Sequence, residues 1–176
     1  MKVLVVRLEG PFQAWSAQGK LVIRDTEREP TKSGVIGLLG AALGMDRTDD
    51  VTLSALASLK MGVRVDRAGT LLRDYHTAGG GTFRGEKRYF VHDTEDCVPS
   101  ERYYLQGASF VAALAGDDAL VLRIAGALES PHYALFLGRR SCPPSVPVLM
   151  NVVEGTIREA LANAALADDA DDGPYR

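Results

Sequence analysis

An α+β fold is predicted, with two βαβ units sharing one antiparallel sheet and their helices on one of its faces. Two observations lead there. Apolar, β-branched runs of strand length alternate with capped helical segments in the order β-α-β, then β-α-β. Between the halves, a long stretch hinged on Gly79 to Gly81 breaks the alternation and reads as an inserted, partly extended excursion. At 176 residues the chain fits one domain with a substantial core.

The first strand is "KVLVVRL", residues 2–8, β-branched and apolar. A polar loop follows, in which "KLVIR" adds a short strand or hairpin. "SGVIGLLGAALG" is a helix between Ser33 as N-cap and Gly44 as C-cap, and with almost no polar face it must be buried. Gly34, Gly37 and Gly40 recur along it every third residue. An internal glycine costs about 1 kcal/mol against alanine, so close packing or ligand approach is expected to offset each. A short helical segment then leads into a strand at Met61 to Asp66, and "TLLRDYHT" is the next strand.

After the excursion, "ASFVAALAG" reads as a core strand. "DDALVLRIAGALES" is a helix capped by Asp117 or Asp118, with apolar residues at 120, 121, 124 and 128. "HYALFLG" is read as a strand ending at Arg139 and Arg140, and "VVEGTIREALANAAL" as a closing helix. The whole order is the split βαβ, ferredoxin-like (RRM-like) pattern. Residues 1–166 are expected to form one domain with an insertion at about 77–107, and 167–176 a disordered acidic tail.

The formal charge is -3. Setting aside Arg176 and the four aspartates of "ADDADD" leaves 19 Lys+Arg against 19 Asp+Glu in residues 1–167. Any nucleic-acid site must therefore be local. Cys97 and Cys142 show no C-x-x-C, which fits a reducing cytoplasm and gives neither a disulfide framework nor a zinc site. The apolar start is too short for a signal core, and no run approaches the ~20 residues of a membrane span, so no membrane association is expected.

"EPTKSGVIG" has the wrong residue order for a P-loop. Lys32 beside a helix start still suits a phosphate, although Ser33 as a plain cap and Lys32 as a solvated side chain explain the same residues. His76, His92 and His132 lack metal-ligand spacing, so no cofactor is expected. Neither cysteine sits in a nucleophile signature. "FRGEKRYF", with Arg84, Lys87 and Arg88 among three aromatics, offers stacking faces and phosphate partners, though a hairpin packing its aromatics on the body reads equally well. At "LGRRSCPPSVP", Gly138 lets the chain turn, the prolines stiffen the loop, and the guanidinium forks of Arg139 and Arg140 match phosphate. Such a pair permits a phosphate clamp without requiring one.

Four blocks in this order, "LVVRLEGPFQAW", "REPTKSGVIGLLGAALG", "LLRDYHT" and "YALFLGRRSCPPSVPV", resemble the Cas-five-family subunit of the type I-E CRISPR complex Cascade. The likeness covers roughly residues 1–150. It implies a repeat-associated (RAMP) ferredoxin-like domain with a β-hairpin thumb at about Thr77 to Gly107. It further implies a non-catalytic subunit that holds the 5′ handle of the CRISPR RNA and touches a CasC-type backbone subunit and a CasA-type large subunit. On this chain the RNA-binding residues would be Lys32, Ser33, Arg73, His76, Arg84, Lys87, Arg88, Gly138, Arg139 and Arg140. Members of that family continue for some tens of residues beyond "ADDADDGPYR", so the chain reads as a shortened or truncated form.

Two alternatives follow from the same residues. Type I-C relatives imply a metal-independent repeat endoribonuclease, with His76, Tyr75 and Lys87 as its candidate catalysts. A scaffold that binds only protein through its thumb and first helix is the other.

Overall fold

The computed structural model describes residues 1–16, 23–78 and 98–167. They form a mixed α+β structure with two antiparallel-dominated sheets and four helices. The first sheet holds β1 (Lys2–Glu9), β4 (Lys60–Arg67), β7 (Ser109–Ala115) and β8 (Leu149–Glu154) in the order β4-β7-β1-β8, every neighbouring pair antiparallel. The second holds β2 (Phe12–Gln13), β3 (Ile23–Arg24), β5 (Thr70–Ala78) and β6 (Val98–Gln106), with β6 paired to all three others.

β1 and β7 explain where the core sits. Both are apolar at nearly every position, the mark of strands buried on both faces. Leu4, Val6, Leu8, Phe110, Ala112 and Leu114 point into the main core with α1 (Lys32–Leu43) and α3 (Asp118–Glu129). Val3, Val5, Val111, Ala113 and Ala115 point the other way, onto Ile157, Ala160 and Leu161 of α4 (Ile157–Asn163). The expectation of helices on one face is therefore corrected: α4 covers the second face, because that face is as apolar as the first.

Three local expectations also change. The N-cap of α1 is Thr31, whose Oγ1 accepts from Gly34 N at 3.3 Å, so Ser33 lies inside the first turn. "HYALFLG" is not a strand. Its backbone groups bond elsewhere: His132 N and Tyr133 N donate to Ala42 O and Ala41 O at the end of α1, and Leu137 closes a turn by donating to Cys142 O at 2.7 Å. On its side away from β7, β1 pairs with β8, whose "VVE" is expected above in the closing helix. α4 begins only after Thr156, which makes a capping box with Glu159.

α3 starts after Asp117, one of the two caps expected for it, and the short helix α2 (Asp50–Ser58) is capped by Asp49. β5 and β6 pair without a break from Thr70↔Gln106 to Ala78↔Val98, so the segment read as a body strand and the end of the excursion form one hairpin stem.

Candidate functional site

α1 and the coil of residues 134–138 face each other across a groove of about 330 Å³, lined by Ser33, Gly34, Gly37, Leu38, Ala41, Ala134, Phe136 and Gly138. The two walls run in opposite directions. Tyr133 N bonds Ala41 O at one end, while at the other Ala14 and Trp15 lie between Gly138 and Gly34. Trp15 is buried, and its indole N–H donates to Gln13 Oε1 at 2.9 Å.

Gly138 is a backbone requirement. Its φ is 90°, and a Cβ there would overlap the Ala14 carbonyl oxygen. That close approach brings the Arg139–Arg140 turn to the N-terminal end of α1. Ser33 and Gly138, two of the expected site residues, thus line one groove, with Lys32 one residue from Ser33 and Arg140 two residues from Gly138 along the chain. Neither α1 nor residues 131–142 contains a carboxylate.

The two arginines do different work. Arg139 donates to Tyr103 O at 3.1 Å, Arg24 O at 2.7 Å and Asp25 O at 3.0 Å, with its guanidinium 5.0 Å from the centre of the Tyr104 ring. It binds the loop to β3 and β6. Arg140 is exposed and has no partner among the described residues. Lys32 Nζ donates to Ala57 O at 2.7 Å, which leaves two ammonium donors for another acceptor.

The remaining expected residues fall into two groups. Arg73 and His76 stand on β5 of the hairpin stem, where Arg73 pairs with Glu101 and His76 Nδ1 lies 4.0 Å from Asp74. Arg84, Lys87 and Arg88 lie outside the described residues. The Arg73 guanidinium, then the Tyr103 hydroxyl at 3.0 Å, hold the Glu101 carboxyl below its ordinary pKa. The same contact with Glu101 raises the Tyr103 phenol. Burial pushes the Cys142 thiol up, away from nucleophilic use. His132 packs over Gly44. Among the described residues no cluster of His, Cys, Asp or Glu is arranged to hold a metal, and no helix is long and apolar enough to cross a membrane.

Sequence reasoning named Gly37 only as one of three glycines awaiting close packing or a ligand, and missed Ala41, Ala134 and Phe136 as groove walls. The signal was the glycine repeat: Gly34 is forced by contact with the Trp15 ring and Gly40 packs on the flexible end of Met45, whereas a Cβ at Gly37 would meet nothing within 4 Å.

The family described as "CRISPR-associated protein (Cas_Cas5)" matches residues 3–172. This chain belongs to that family. It is 38% identical over 167 residues to the CRISPR system Cascade subunit CasD of Escherichia coli (strain K12), covering 87% of this chain and 72% of the relative. A solved structure described as a Cas protein is 40% identical with a TM-score of 0.70, covering 90% of this chain and 69% of that one. A chain from a CRISPR RNA-guided surveillance complex is 35% identical with a TM-score of 0.73, covering 84% of this chain and 61% of its counterpart. The family membership agrees with the resemblance drawn from the four sequence blocks.

Proposed function

We propose that this chain is an RNA-binding subunit of a type I-E CRISPR surveillance complex, holding the 5′ handle of the CRISPR RNA without cutting it. The observation that carries the reading is the meeting of Ser33 and Gly138 in one groove whose walls lack carboxylates, with Lys32 and Arg140 one and two residues from them along the chain. The amides of Lys32 and Ser33 lie ahead of the first bond of α1, Val35 N to Thr31 O, and add a helix N-terminus to those cations. A body of zero net charge needs only such a local site when other subunits share the RNA.

The order β4-β7-β1-β8, with α1 between β1 and β4 and α3 between β7 and β8, supports reading the first sheet as the ferredoxin-like βαβ–βαβ unit of a RAMP protein. The nine-residue stem of β5 and β6 supports reading the insertion as its thumb, and residues 1–166 as one domain. CasC-type and CasA-type subunits are the protein partners this reading implies, and the cytoplasm is its compartment. The endoribonuclease alternative gains nothing from His76, whose charged partner among the described residues is Asp74.

End-labelled repeat RNA incubated with the full chain in EDTA, then split between native and denaturing gels, tests the reading. A shifted and intact RNA is expected. Cleavage at one defined position would overturn it, as would the absence of any shift.

A further inference from the structure

We infer that the groove between α1 and residues 134–138 is a slot for one unstacked RNA base, with the adjoining phosphate at its N-terminal end. The inference rests on the handle-binding reading and goes further, naming which part of a nucleotide enters and where.

Three observations lead to it. First, the groove has an electrostatic polarity. The first-turn amides of α1 stand at the Ser33–Gly138 end, with Lys32 one residue and Arg140 two residues away along the chain, whereas Gly37, Leu38, Ala41, Ala134 and Phe136 supply no charge along its length. A nucleotide has the matching polarity, an anion at one end and a flat, largely apolar ring at the other. A phosphate alone would leave the apolar length unused, and an apolar peptide side chain would leave the cations unused.

Second, Gly37 is unexplained by packing. Glycine is, after proline, the costliest residue in a helix interior, and here no neighbour forbids a side chain. It is exposed in a helix otherwise buried on most sides, and it forms the floor of the groove. A floor without a side chain lets a ring lie against the helix backbone.

Third, Phe136 supplies an aromatic wall, and aromatic rings hold unstacked bases regardless of their identity. At about 330 Å³ the space is at the small end of the ~300–1,000 Å³ range of ligand clefts, enough for a single base and not for a stack.

The test uses the full chain and repeat-derived RNAs, intact or carrying one abasic site at each handle position in turn. Wild-type binding is expected to fall about tenfold at one abasic position and little at the others. Gly37→Leu, which fills the floor, should weaken binding of intact RNA to the same degree and become insensitive to that abasic site. Gly37→Ala separates fold from function: it should raise the melting temperature, because alanine is the better helix former, while still weakening RNA binding.

A flat abasic scan with normal wild-type binding would overturn the slot and leave the handle-binding reading standing. So would a Gly37→Leu chain that binds RNA as the wild type does. If Gly37→Leu kept RNA but lost copurification with partner subunits, the occupant would be protein and the inference wrong. No RNA binding by the wild type would overturn both readings together.

Discussion

The Arg139 guanidinium lies 5.0 Å from the centre of the Tyr104 ring while its N–H groups reach three backbone carbonyls, those of Arg24, Asp25 and Tyr103. Its neighbour Arg140 is exposed, with no partner among the described residues. Adjacent arginines that look equivalent in sequence therefore divide into a structural clamp and an exposed cation.

Arg139→Ala should accordingly act on stability. It removes charge-assisted hydrogen bonds and a cation–π contact at a partly buried site, a loss of about 1–3 kcal/mol. Arg139→Lys should recover little, since an ammonium cannot span the same acceptors. Arg140→Ala should leave the urea midpoint unchanged, weaken RNA binding and flatten the salt slope by about 0.7. Urea unfolding and salt-dependent binding of the two variants check the division. Equal effects of both on RNA and neither on stability would contradict it.

How much of this was legible in the sequence depends on how far apart the partners lie. β1, α1, β7 and α3 were legible because their apolar runs and caps are local. The cover of α4 over the second face was legible in principle, since "LVV" and "FVAALA" do not alternate as half-exposed strands do. "HYALFLG" misled because a packed coil and a strand carry the same apolar run, and only the distant carbonyls of Ala41 and Ala42 decide between them. Arg139 could not be read at all: its acceptors are supplied by residues 36 to 115 positions away. In the groove the opposite holds, for the glycine repeat is local and announced a close approach whose nature only the structure separates into packing at Gly34 and Gly40 and open space at Gly37.

Gly138→Ala should be severe. The residue sits at φ 90°, where a side chain is strained, and its Cβ would fall on the Ala14 carbonyl. Because the same backbone contact sets one wall of the groove, RNA binding and thermal stability should fall together. A variant that folds and melts as the wild type does would show that the loop can move away from Ala14.

Glu101 ties up the cation of Arg73 at the root of the hairpin. Glu101→Gln should therefore free Arg73, tighten RNA binding and steepen the salt slope by about 0.7 if Arg73 then meets a phosphate. The pH dependence has a definite sign. The folded-state pKa of Glu101 is lowered, so its contribution to stability is fully present above the unfolded value and is lost as the pH falls through the lowered one. The difference in urea midpoint between the wild type and Glu101→Gln should thus exist at neutral pH and vanish in acid below the usual carboxylate range. The pair is largely exposed, so that difference should be small.

Arg64 and Asp66 make the opposite case, a pair with almost no exposure. Arg64 Nε donates to Asp66 Oδ1 at 2.6 Å and Nη2 to Asp66 Oδ2 at 3.0 Å, while Nη1 and Nη2 also reach the carbonyls of Leu161, Ala164 and Ala165 at the end of α4. Asp66 in turn accepts from Ala167 N at 3.2 Å. The pair thus satisfies the C-terminal carbonyls of a helix of only seven residues and fixes it over the second face of the sheet. Asp66→Ala leaves a buried guanidinium without its counter-ion and should cost about 3–5 kcal/mol. Replacing both, as Arg64→Met with Asp66→Leu, avoids the orphaned charge but takes the Arg64 donor from the Leu161 and Ala164 carbonyls, Ala165 O keeping Arg7 Nη2, so the double variant should be more stable than Asp66→Ala and less stable than the wild type. Urea unfolding of the three chains gives that order. If the double variant proves the least stable, the guanidinium bonds to α4 outweigh the ion pair, and Arg64 is then first of all a helix cap.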